Sequence, residues 1–194
     1  MNVDRTTPAA NPTSNAATSW RYSGTAVGLH WLLALLLGFM AALGWYMMSV
    51  EDEPGSAAYF NLHKSIGLIV ALLVAARIVW RLTHRPAPLP ASVPAWQARL
   101  SALNVALLYA LMVLLPLTGY LGASYSKYGV ALFGLALPAW AQPDHDTAER
   151  FFDIHGALIW VLVGLVALHA LGGLKHLLVD KDGVFQRIWF GARR

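Results

Sequence analysis

The chain has 194 residues, carries a formal net charge of +4, and is 57% apolar but only 12% charged, whereas a soluble domain is about 25% charged. Most of such a chain never meets water, and its basic surplus forms no stripe apart from the apolar runs, which excludes a nucleic-acid binder. With no cysteine present, disulfides, iron–sulfur clusters, thiolate metal sites and cysteine-tethered haem are excluded as well.

Residues 1–19, rich in Thr, Pro, Ala, Asn and Ser, read as a disordered tail, and 20–194 as one membrane domain. A helix needs about 20 apolar residues to cross the hydrocarbon layer, and four segments qualify: 24–48, 60–80, 100–123 and 151–178. The competing reading of the first, a cleaved signal peptide with Arg21 in its basic region, suits it less well. Its apolar run over 26–50 exceeds the roughly 7–15 residues of a signal core. Residues 85–94 carry four prolines and are predicted to be a loop. Residues 130–140 are apolar but too short to span, and read as an interfacial or re-entrant piece. The predicted fold is all-α, an integral membrane four-helix bundle.

Lysine and arginine bias sets the expected orientation. With the amino terminus cytoplasmic, that side receives eleven basic residues: Arg5, Arg21, Arg77, Arg81, Arg85, Arg99, Lys175, Lys181, Arg187, Arg193 and Arg194. The opposite side receives only Lys64, Lys127 and Arg150. Both termini are therefore expected in the cytoplasm.

Ionisable groups inside lipid are costly and mark function, which makes the seven histidines the informative set. His84 and His145 read as solvated loop residues. His30 falls early in the first span, His63 at the start of the second, and His155 and His169 in the fourth. The last two are 14 residues apart, which is a rise of about 21 Å and close to four whole turns, so they share one helix face. Given the alternating direction of the spans, the four sort by depth into two pairs, His30 with His169 on the inner side and His63 with His155 on the outer. Two imidazoles from facing helices suit a six-coordinate haem iron. Zinc, which takes three or four protein ligands, fits two histidines per level poorly. Gly67 and Gly172 lie on the ligands' faces, where a missing side chain admits a flat macrocycle or simply close helix packing. His176, seven residues beyond His169, reads as a proton-handling or quinone-contacting residue, or as an ordinary interfacial histidine. Arg77 and Arg81 are candidates for haem propionates, although inside-positive anchoring explains them too.

Several stretches resemble the bacterial cytochrome b561 family. They are Tyr22-Ser23 with Leu29-His30-Trp31, His63-Lys64-Ser65-Ile66-Gly67, and Arg77 with Trp80-Arg81-Leu82 and Arg85-Pro86. Leu115-Pro116-Leu117-Thr118-Gly119-Tyr120, Asp153-Ile154-His155-Gly156 and Leu168-His169-Ala170 follow in order. The resemblance implies a b-type cytochrome of the bacterial inner membrane with two haem b. Its axial ligands would be His30, His63, His155 and His169, and it would exchange electrons with the quinone pool. Members similar to this one oxidise superoxide and reduce ubiquinone, so a small molecule such as superoxide, or a protein, is the expected donor. A cytochrome b subunit of a larger respiratory dehydrogenase or hydrogenase is the alternative within the class. A histidine-dependent ion or metal transporter without haem is the alternative outside it.

Overall fold

The computed structural model describes residues 20–190; the tail read over 1–19 and the last four residues lie outside the described residues. Four helices follow in order: α1 (Gly24–Ser49), α2 (Ala57–Thr83), α3 (Ala95–Tyr125) and α4 (His145–Lys175). Each is long and apolar enough to cross a membrane. A two-stranded antiparallel hairpin, β1 (Ala131–Leu132) and β2 (Leu135–Ala136), joins α3 to α4. After α4 come a π-helical turn at His176–Asp180 and a 3-10 turn at Phe185–Ile188.

Every helix is longer than the span read from sequence, although α4 stops at Lys175, short of the expected 178, where the π-turn takes over. The longest, α3 and α4, have 31 residues each, or about 46 Å, against some 30 Å of hydrocarbon. The extra turns lie where the sequence turns polar but backbone hydrogen bonding continues. The first turn of α4 is the clearest case, and it corrects one expectation. His145 is the first residue of that helix and not a loop residue, and it pairs with Glu149 one turn on at 3.2 Å. The turn is fixed by Asp144, whose carboxylate accepts the Thr147 N–H at 3.1 Å, with Asp146 adding negative charge at the helix's positive end. His84, the other predicted loop histidine, caps α2 and stacks on Trp80, ring centroids 3.9 Å apart.

The segment over 130–140 contains the hairpin. Phe133 and Gly134 take positive φ at its tip (47° and 88°), the backbone a tight two-residue turn demands. Ser65 of α2, completely buried, pins it: its hydroxyl accepts the Phe133 N–H at 2.8 Å and donates to Asn61 O at 2.7 Å. Lys64 donates to Gly129 O at 3.1 Å beside it.

Side chains pack inside-out relative to a soluble protein. Leu35 and Leu72 are each 72% exposed, as a lipid-facing surface requires. The interior holds two small apolar clusters. Leu33, Val70, Val74 and Met112 join α1, α2 and α3, while Leu111, Leu115 and Leu162 join α3 to α4. Asn104 adds a polar link, donating to Leu165 O at 3.2 Å. Extensive close backbone approach is confined to the neighbours α1–α2, α2–α3 and α3–α4. The seams that α4 makes with α1 and α2 are wider, and that is where the histidines meet.

One end of the bundle gathers both ends of the described chain, and Arg187 ties it together. This side chain is 3% exposed, and its guanidinium donates to the carbonyls of Trp20, Ala87 and Pro88. Trp31 Nε1 donates to Ile188 O at 2.9 Å and Tyr22 N to Arg187 O at 3.3 Å. This is called the terminal end below, and the end holding the hairpin the far end.

Candidate functional site

The four span histidines come together in the two pairs that their spacing implies. His30 of α1 faces His169 of α4 with ring centroids 6.1 Å apart, and His63 of α2 faces His155 of α4 at 6.2 Å. Helix α4 runs unbroken between His155 and His169, so the pairs lie about 21 Å apart along it. The first pair is toward the terminal end, the second toward the far end. His30, His63 and His155 are half-buried, and His169 is exposed along the wide α1–α4 seam.

The far pair is the more closely built. His155 Nδ1 lies 2.9 Å from Leu115 O. A carbonyl can only accept, so Nδ1 carries the proton and Nε2 keeps a free lone pair. That tautomer is the one a metal-ligating histidine uses, with its other ring nitrogen oriented by a carbonyl. The acceptor lies one residue before Pro116, in the middle of α3. Thr118 Oγ1 bonds Leu114 O and Leu115 O at 2.9 and 3.0 Å and sits 3.3 Å from His155 Nδ1. His63 has no such support: its buried Nδ1 has no hydrogen-bond partner among the described residues.

Two glycines crowd this pair. A Cβ on Gly119 would lie 3.2 Å from both Cε1 and Nδ1 of His155, and one on Gly44 would lie 3.4 Å from His63 Cε1. Sequence reasoning singled out Gly67 and Gly172 instead. A Cβ on Gly67 would meet Met40, 3.6 Å away, and one on Gly172 would meet nothing within 4 Å. The glycines in contact with the histidines sit on neighbouring helices, which one-helix spacing does not reveal.

At the terminal pair, Arg77 Nη2 donates to His30 Nδ1 at 3.2 Å and Nη1 to Ala26 O at 3.2 Å. Arg81 follows one turn on. Its guanidinium lies 5.5 Å from the centre of the Tyr109 ring and lines a cleft between α2 and α3. His176 stands in the π-turn, with Nδ1 2.7 Å from Asp182 and 3.4 Å from Asp180, and Lys175 holds Asp180 at 2.5 Å.

The chain matches the family model for prokaryotic cytochrome b561 over residues 21–191. It belongs to that family. Two Escherichia coli relatives agree. Cytochrome b561 homolog 2 is 30% identical over 173 residues, covering 87% of this chain and 90% of its own. Cytochrome b561 homolog 1 is 26% identical over 177 residues, covering 87% and 96%. A cytochrome b561 is a multi-pass bacterial membrane protein that transfers electrons on b-type haem, which sets aside the haem-free transporter.

The residues present fit that group. A metal–imidazole bond is about 2 Å long, which puts two ring centroids about 6.3 Å apart across one iron, against the 6.1 and 6.2 Å found here. The tautomer of His155 suits ligation, the Nδ1 of His63 is left unpaired by the protein, and each pair opens on a seam without close backbone packing.

Proposed function

We propose that this cytochrome b561 holds two haem b, one on His30 and His169 and the other on His63 and His155. It would carry electrons from a donor at the far end to a quinone at the terminal end. The observation that carries this reading is the pair of histidine contacts, two helices to each, separated by about four turns of α4. Bound there, haem would supply a one-electron iron couple, and the paired histidines would hold it for outer-sphere transfer.

The chain's own groups have distinct tasks. Leu115 O and Thr118 orient His155. A neutral imidazole that ligates through Nε2 carries its proton on Nδ1, and Arg77 cannot then donate to that atom. Ligation by His30 therefore releases the Arg77 guanidinium for a propionate, a bidentate match. Arg81, a turn away, is a second propionate candidate on sequence grounds. His176, held by Asp182, is suited to pass protons to a quinone taking up two electrons and two protons. Superoxide is the proposed small-molecule donor, losing one electron to become dioxygen; Lys64, next to His63 and Lys127 near it in the far loop, provides local positive charge for an anion. The basic terminal end faces the cytoplasm in this reading, in the bacterial inner membrane.

A pyridine haemochrome assay with a reduced-minus-oxidised spectrum tests the site. Two haem b per chain are expected, and one each in His155→Ala and His169→Ala. A colourless preparation from haem-sufficient cells, or both haems surviving in either variant, would refute the assignment. Absence of haem reduction above background after rapid mixing with superoxide would remove that donor alone.

A further inference from the structure

Beside the histidine pairs, the terminal end carries a second feature that electron transfer does not use. It is an open cleft of about 520 Å³ between α2 and α3, with walls that include Ile78, Leu82, Tyr109 and Val113. Arg81 and Arg85 stand at its rim. Leu82 and Val113 are exposed at 72% and 44%, so the cleft opens on the lipid side of the bundle. Among the described residues neither guanidinium has a carboxylate partner. Arg77 and Arg81 both lie over the Tyr109 ring, at 6.0 and 5.5 Å, but only Arg77 also donates hydrogen bonds, to His30 and Ala26.

We propose that this cleft binds an anionic phospholipid, its phosphate between Arg81 and Arg85 and an acyl chain between Ile78 and Val113. Two unpaired guanidiniums above an apolar trough match an amphiphile with a negative head and a hydrocarbon tail. Basic pockets between spans at a membrane surface recognise lipid phosphates in this way. A quinone head is neutral and leaves both charges unanswered. The carbonyl end of α2 is partly offset by the same arginines, but that role needs no cleft. The proposal stands apart from the haem assignment.

The test is native mass spectrometry of the purified haem-loaded protein with phosphatidylglycerol and, separately, phosphatidylcholine of the same chains. With two arginines at the phosphate, phosphatidylglycerol should be retained roughly thirty-fold better. The Arg85→Gln variant should narrow that preference several-fold, with haem content and Soret band unchanged. Val113→Trp, which fills the trough and leaves the charges alone, should also lose phosphatidylglycerol. Equal retention by the unaltered protein would overturn the proposal. So would an unchanged lipid preference in the Arg85→Gln variant, or one-for-one displacement of phosphatidylglycerol by ubiquinone.

Discussion

Replacing Gly119 with alanine sets a methyl group against the ring of His155. The new Cβ would lie 3.2 Å from Nδ1 and from Cε1, inside the roughly 3.5–4.0 Å of an unstrained contact. The ring has to retreat by a few tenths of an ångström, and it is already tied at 2.9 Å to Leu115 O. That bond bends or breaks. Loss of the partner that orients a metal-ligating histidine typically costs about 10–100-fold in affinity, so Gly119→Ala should release haem from the far pair at least ten-fold faster. Helix stability works in the opposite direction, because alanine is better than glycine in a helix by about 0.5–1 kcal/mol, so faster release does not reflect a weakened α3. Two further variants calibrate the effect. Gly44→Ala, with its Cβ 3.4 Å from His63, should be milder, and Gly38→Ala, which meets nothing within 4 Å, should be silent. The assay is haem transfer to an excess of apomyoglobin, followed at the Soret band. If Gly119→Ala releases haem no faster than Gly38→Ala, Leu115 and Gly119 do not position His155 and the argument fails.

Other consequences concern the fold around the site. Ser65→Ala leaves the Phe133 N–H without its acceptor, at a cost of about 1–2 kcal/mol. Hydrogen exchange at that amide should speed up roughly ten-fold or more while exchange within α2 is unchanged; unaltered exchange would mean the serine does not hold the hairpin. Arg187→Ala removes a buried guanidinium that serves three carbonyls and should destabilise the protein by about 3 kcal/mol, read as a lower unfolding midpoint in detergent. A midpoint equal to that of the unaltered protein would show that the terminal end closes without it. Because the chain has no cysteine, single cysteines report sidedness directly. Gly55→Cys should react with an impermeant thiol reagent added outside intact spheroplasts, and Arg99→Cys only after lysis; the reverse pattern would invert the proposed orientation.

The number of spans, the family and the histidine pairing were legible in the sequence because each depends on one-dimensional regularities. Apolar length sets a span, helical rise and rotation set the register of His155 with His169, and alternating direction sets which histidines share a depth. What surrounds the pairs depends on contacts between helices, and no spacing along one helix encodes those. Gly119 and Gly44 touch histidines of other helices, while Gly67, chosen from its own helix, packs against Met40. Pro116 is visible in sequence as a helix breaker, but only packing turns the carbonyl beside it toward His155. Arg187 looked like one more inside-positive charge; burial against three carbonyls distant in sequence makes it the tie of the terminal end. Arg77 and Arg81, equivalent as a sequence pair and both over the Tyr109 ring, differ only in what packing brings within reach: Arg77 also donates to His30 and Ala26.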